Sequence, residues 1–161
     1  MEIKKIGVVG SGAMGTGIAH VSAKYGYEVA VYDIAEDAVL RSKNNIITLF
    51  DKSIAKGKAT EEQKSETLNR LTFSTDMNDL KDCDLVIEAV VENLDLKMTV
   101  FSQLDSIVKP EAILASNTST MSITKLATAT KRPEAFLGAH FFNPVQAMRL
   151  VELIRGYYTS D

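Results

Sequence analysis

The stretch Ile6-Gly7-Val8-Val9-Gly10-Ser11-Gly12-Ala13-Met14-Gly15, answered downstream by Glu28-Val29-Ala30-Val31-Tyr32-Asp33, decides how this chain folds. Glycines fall into a G-x-G-x-x-G spacing by chance, so the flanks carry the weight. Residues 3–9 are apolar and rich in β-branched side chains, which predicts a strand. Residues 13–25 are rich in helix formers and lack proline, which predicts a helix. Residues 28–33 read as a second strand ending in a carboxylate. A strand, a tight turn, a helix and a strand closing on an acid together form a dinucleotide-binding pattern.

Each residue of the pattern has a physical task. Gly10 permits the turn out of the strand, Gly12 lets a pyrophosphate approach bare backbone, and Gly15 lets the helix pack closely. Ala13 and Met14 occupy the first helical turn, whose free N–H groups and dipole favour a phosphate anion. Asp33 is placed to accept both hydroxyls of an adenosine ribose and to repel a 2′-phosphate, and Ile34 and Ala35 supply no cation. The expectation is NAD(H) rather than NADP(H), with Arg41 and Lys43 keeping the second cofactor open.

Helical and extended patterns alternate through the rest of the chain. Helices are expected over residues 36–56, 60–69, 94–108 and 122–130, and strands over 71–74, 85–89, 112–115, 136–140 and 148–154. Thr60 followed by Gln63 is a capping-box pattern. Such alternation implies an α/β, Rossmann-type, doubly wound and mostly parallel sheet with helices on both faces.

Bulk properties narrow the classes. The chain of 161 residues has 45% hydrophobic and 24% charged residues, ordinary for a globular domain. A net charge of −3 argues against nucleic-acid and anionic-membrane surfaces. No apolar run is long enough to cross a bilayer, and the N-terminus enters a strand at once, so a cytoplasmic protein without a signal peptide is expected. The single cysteine, Cys83, lies between Asp82 and Asp84 and reads as structural, and with only two histidines no metal site is expected.

In open parallel sheets, ligands bind beyond the carboxyl ends of the strands. Polar groups at those ends include Glu88, Ser116-Asn117-Thr118-Ser119, His140 and Asn143. Glu152 stands alone among apolar neighbours, where burial without a partner would be costly, and His140 is its natural partner. A carboxylate on one ring nitrogen would fix the tautomer of a general base. Ser119 and Asn143 could hold a substrate hydroxyl or carbonyl. The plainer alternatives are a structural histidine, a polar turn at Ser116–Ser119, and a Glu152 that faces solvent on an edge strand. His20, inside the first helix, reads as a packing or surface residue.

Four blocks, Ile6–Gly15, Val86–Leu94, Ser116–Ser119 and Gly138–Val145, followed by Met148–Glu152, resemble the L-3-hydroxyacyl-CoA dehydrogenases, especially the bacterial 3-hydroxybutyryl-CoA dehydrogenases. The resemblance runs from the start of the chain to about Ile154. It implies that His140 is the catalytic histidine and Glu152 its paired carboxylate. It places Ser119 and Asn143 near nicotinamide and substrate, Glu92 and Lys97 among the cofactor contacts, and Lys52 and Lys56 near the CoA phosphate. The implied reaction interconverts (S)-3-hydroxyacyl-CoA and 3-oxoacyl-CoA with NAD(H), in fatty-acid and butanoate metabolism.

Chains of that family continue into a helical domain that carries much of a homodimer interface and part of the acyl pocket. The expectation is therefore an NAD-binding domain over residues 1–155, with 156–161 opening a linker to an absent domain, and poor activity from these residues alone. Two alternatives are an NAD-binding module without turnover and another dehydrogenase of this fold. The 3-hydroxyisobutyrate and 6-phosphogluconate types of that fold would rely on a lysine from elsewhere.

Overall fold

The alternation resolves, in a computed structural model that describes residues 2–161, into seven strands and five helices. The strands are β1 (Lys5–Val9), β2 (Glu28–Tyr32), β3 (Leu71–Ser74), β4 (Leu85–Glu88), β5 (Ile113–Ser116), β6 (Phe136–Phe141) and β7 (Val151–Arg155). The helices are α1 (Ala13–Lys24), α2 (Glu36–Ala55), α3 (Glu61–Asn69), α4 (Leu94–Ile107) and α5 (Ile123–Ala127). The sheet order is β3-β2-β1-β4-β5-β6-β7. β1 to β6 run parallel, and β7 returns antiparallel along β6.

Strand periodicity explains the two covered faces. Successive side chains point to opposite sides, so an apolar run supplies both cores at once. Val9, Ala30, Val86, Leu114 and Phe136 join one core with Val100, Phe101 and Leu104 of α4 and Leu126 of α5. Their neighbours Val8, Val31, Ile87 and Ala115 join the other with Ile18, Ala19 and Ala23 of α1. Phe101 and Phe136 meet edge to face at 4.6 Å.

The capping box at α3 forms as its sequence implies: Gln63 N–H donates to the Thr60 hydroxyl, and the Thr60 N–H donates to the Gln63 amide oxygen. Two expected elements are shorter. α5 stops at Ala127, because the Thr128 and Thr130 hydroxyls donate to the Lys125 and Ala127 carbonyls and the backbone tightens into three-residue turns. β7 begins at Val151 rather than Met148, because β6 ends at Phe141 and offers no partner further on. Beyond β7 the chain folds back: the Thr159 hydroxyl donates to the Phe136 carbonyl and the Ser160 amide to the Glu134 carbonyl. No helix among the described residues is long and apolar enough to cross a membrane.

Buried polar groups staple the layers. Asp84 accepts from the Lys4 and Lys5 amides and pairs with Lys109, and these partners, Lys109 foremost, hold its carboxyl far below the usual range. Cys83 is a fully buried free thiol pushed up to about 11, chiefly by burial, so it is a packing residue.

His20 is buried against Phe50, with ring centroids 5.0 Å apart and no partner for Nδ1 among the described residues. Burial, with Lys24 adding repulsion, lowers it from 6.5 to about 4. The unfolded chain then takes up its proton first, so stability falls as pH drops from 6.5 towards 4, by on the order of 3 kcal/mol. In urea denaturation, the His20→Leu variant is expected to lack this part of the acid loss. An unchanging wild-type-to-variant gap between pH 7 and pH 4 would contradict it.

Candidate active site

The site assembles at the carboxyl ends of the parallel strands, around the turn that leaves β1. Gly10 has φ +96°, and a Cβ there would lie 2.8 Å from the Ala89 carbonyl oxygen. A Cβ on Gly15 would lie 1.8 Å from the Gly10 carbonyl oxygen, so α1 reaches this depth only with bare backbone at both positions. At Gly12 the opposite holds: a Cβ would meet nothing within 4 Å, which leaves the helix mouth open. α1 has no side-chain cap and no acid in its first turn, so the amides at Ala13 and Met14 remain for an anion. Asp33, at the end of β2, accepts from the Ser11 amide at 2.8 Å and the Ser11 hydroxyl at 2.9 Å, and from the Ala35 amide at 3.1 Å. The acid thus shapes the glycine turn. Of the two cations that keep NADP(H) open, Arg41 is paired with Asp37 at the surface.

Beyond β4 lies a buried charge network. Lys97 is 1% exposed and Glu88 fully buried, and they pair at 2.6 Å. Glu88 also accepts from the Val90 amide at 2.7 Å and the Ser116 hydroxyl at 2.7 Å. Lys97 makes a second pair with Glu92 at 3.0 Å, and Glu92 accepts from the Thr118 hydroxyl at 2.7 Å. Burial alone would raise the Glu92 carboxyl, but the Thr118 hydroxyl and the Lys97 ammonium outweigh it and hold it below its ordinary value. Lys97 is therefore enclosed, while Glu92 reaches the surface of the cleft.

The third part comes from β6 and β7. His140 and Glu152 face each other in the antiparallel register, and His140 Nδ1 lies 2.9 Å from Glu152 Oε2. A carboxylate only accepts, so Nδ1–H donates, and in the neutral imidazole this tautomer puts the lone pair on Nε2. Both readings of Glu152 hold, as partner of His140 and as a residue facing solvent on an edge strand. β7 is the sheet edge, exposed along its length, and the carboxylate is half exposed. The Phe142 ring packs on the imidazole with centroids 4.5 Å apart.

These parts line one cleft of about 370 Å³ that includes Met14, Glu92, Ser119, His140, Phe142 and Asn143. Gly10, Gly12, Ala13, Gly15 and Asp33 form the adjoining turn, and Lys97 lies beneath. Lys52 and Lys56 do not line the cleft; they are exposed at the far end of the twenty-residue α2. Sequence reasoning placed Asn117 among the polar groups at the strand ends but gave no role to it or to Phe142, which also line the cleft, and did not pair Glu88 with Lys97. An asparagine in a polar turn carries no signal of its own. Nor does a Glu and a Lys nine residues apart, across a strand-to-helix loop.

An open glycine turn at a helix N-terminus, an acid closing β2, and a histidine–carboxylate pair across the same cleft define an NAD-binding dehydrogenase domain. The model for "3-hydroxyacyl-CoA dehydrogenase, NAD binding domain" matches residues 5–161, and the chain belongs to that family. It is 52% identical over 157 residues to the probable 3-hydroxybutyryl-CoA dehydrogenase of Deinococcus radiodurans, covering 98% of this chain and 56% of the relative. It is 49% identical over 160 residues to the 3-hydroxybutyryl-CoA dehydrogenase of Mycobacterium tuberculosis H37Rv, covering 99% and 56%. Among solved structures it is similar to the (S)-3-hydroxybutyryl-CoA dehydrogenase PaaH1 of Ralstonia eutropha, with a TM-score of 0.97 and 49% identity, over 99% of this chain and 56% of that one. The chain thus spans a little over half the length of the relatives it matches.

Removing Lys97 leaves Glu88 buried and unpaired. Lys97→Met is expected to cost about 3–5 kcal/mol in urea denaturation, and adding Glu88→Gln to recover most of it. A cost below about 1 kcal/mol for the single variant would contradict this. Asp33→Ala is expected to weaken NADH binding about 10- to 100-fold in a fluorescence titration, from lost charge-assisted hydrogen bonds. Unchanged affinity would remove Asp33 from the site.

Proposed function

We propose that this chain is the NAD(H)-binding and proton-transfer part of an (S)-3-hydroxyacyl-CoA dehydrogenase, with 3-hydroxybutyryl-CoA and acetoacetyl-CoA as its substrate pair. The observation that carries the reading is the His140–Glu152 rung, which leaves Nε2 free beside the cleft that Ser119 and Asn143 also line. The fit to a dinucleotide rests on the uncapped α1 N-terminus and on the open space at Gly12, which a side chain would fill.

When bound, the nicotinamide supplies hydride transfer to or from the substrate C3. The chain's own residues do the rest. In oxidation, His140 Nε2 takes the C3 hydroxyl proton, and Glu152 stabilises the imidazolium that forms. In reduction, the same nitrogen returns the proton to the forming alkoxide. Ser119 and Asn143 donate to the substrate oxygen and hold it against Nε2. Asp33 holds the adenosine ribose while keeping Ser11, since a carboxylate has about four acceptor sites. This favours NAD(H) over NADP(H). Lys97 fixes Glu92, and Glu92 meets the nicotinamide side of the cofactor. Lys52 and Lys56 offer exposed cations to the distal phosphates of CoA. A cytoplasmic homodimer, joined through a helical domain of the whole enzyme, completes the reading.

Ser119 and Asn143 are exposed here, and a cleft open to water positions an acyl group poorly. Residues 1–161 are expected to bind NADH yet oxidise it slowly with acetoacetyl-CoA. Turnover near roughly ten per second would contradict that. In the whole enzyme, His140→Ala is expected to lower kcat by about 10²- to 10⁴-fold. Activity surviving within a few-fold would overturn the assignment. NADH binding without turnover in the whole enzyme would favour a binding module instead.

A further inference from the structure

The parallel ladder between β5 and β6 ends early. It pairs Leu114, Ala115 and Ser116 with Phe136, Leu137 and Gly138, whereas β6 continues to Phe141. His140 and Phe141 are therefore ladder-paired on one side only, to Glu152 and Val151 of β7. That neighbour is the exposed edge strand, a weak support for a residue whose orientation matters.

The missing rung is filled by a side chain. Asn117, the first residue after β5, accepts from the Phe141 amide through Oδ1 at 2.8 Å. Its own amide donates to the Glu88 carbonyl at the end of β4, also at 2.8 Å. One residue thus bridges β4 and β6 where β5 has left the sheet, and it lines the cleft with His140 and Ser119. The anchor is firm at its far end, because Glu88 is fully buried and tied to Lys97 and Ser116. Without this acceptor the Phe141 amide would open to the cleft, and the end of β6 would be held only by the edge strand.

We propose that Asn117 is a positioning residue for proton transfer: its side-chain carbonyl holds the Phe141 amide, and with it the end of β6, in the register that sets His140 between Glu152 and the cleft. The proposal rests on the reading of His140 as the proton-transfer group. It concerns a contact one residue away, made through the backbone.

The test uses the complete natural polypeptide carrying Asn117→Ala, Asn117→Leu or Asn117→Asp. Three readouts are taken: NADH oxidation with acetoacetyl-CoA, NADH affinity, and hydrogen exchange of the Phe141 amide. In the Ala and Leu variants, kcat is expected to fall about 10- to 100-fold, the cost of a misplaced reacting group. NADH affinity should stay within about threefold while Phe141 exchange speeds at least about tenfold, as expected for an amide that has lost its acceptor. Asn117→Asp keeps an acceptor of the same shape, so it is expected to keep the amide protected and restore most of kcat. If the Ala variant fails to fold, the Leu variant, which keeps the volume, carries the same expectations. Unchanged Phe141 exchange in both, or kcat within threefold of the parent, overturns the proposal. So does an Asp variant as slow as Ala with a protected amide, since the side chain would then act on a ligand directly. If wild-type enzyme shows no turnover, the functional reading fails, while the exchange measurement still decides whether Asn117 clamps the strand.

Discussion

Everything at the cleft depends on how closely α1 lies against the end of β1. Helix and turn touch there through backbone alone, with the Gly10 carbonyl pressed against Gly15. This approach sets the height of the helix mouth over the strand ends, and so its place relative to His140. The same helix presses its next small residue, Gly17, on Val145, where a Cβ would come within 2.8 Å. Val145 is buried in the loop that carries Asn143. α1 therefore positions both its own uncapped mouth and one wall of the cleft, and two glycines permit both contacts.

The charges divide into those that set structure and those left for chemistry. Glu88 and Lys97 are enclosed and mutually satisfied, together with the Ser116 hydroxyl and the Val90 amide. Their net gain over apolar residues is small by the usual balance of desolvation against attraction, but removing one partner is costly. Such a pair fixes which loops lie beside each other. Glu92, half exposed, extends the network to the cleft, and His140 with Glu152 stands at its open side.

The doubly wound sheet was legible because strand and helix periods differ and alternate through most of the chain. The glycine turn was legible because its residue types answer to backbone geometry. The pairing of His140 with Glu152 followed from chemical type, since an isolated carboxylate and a lone histidine each lacked any other partner. Three things were not legible. The end of α5 is set by two threonine hydroxyls competing for carbonyls, which propensity does not weigh. Whether Glu152 would be enclosed or face solvent stayed open, because that depends on β7 being the last strand, a property of sheet order rather than of local pattern. Asn117 looked like any turn residue, because its role exists only once two strands of unequal length lie side by side.

The edge position of β7 bears on how these residues, taken by themselves, come open. Proteins open piecemeal, and the pieces with exposed hydrogen bonds and little buried apolar surface open first. β7 is such a piece, paired on one side and exposed at all five residues. Glu152 belongs to it, whereas the glycine turn belongs to the buried centre of the sheet. Fraying of this single strand separates imidazole from carboxylate while the glycine turn stays whole. The earliest opened form is therefore one that has lost the His140–Glu152 contact, with its glycine turn, most of its helices and its two cores still in place.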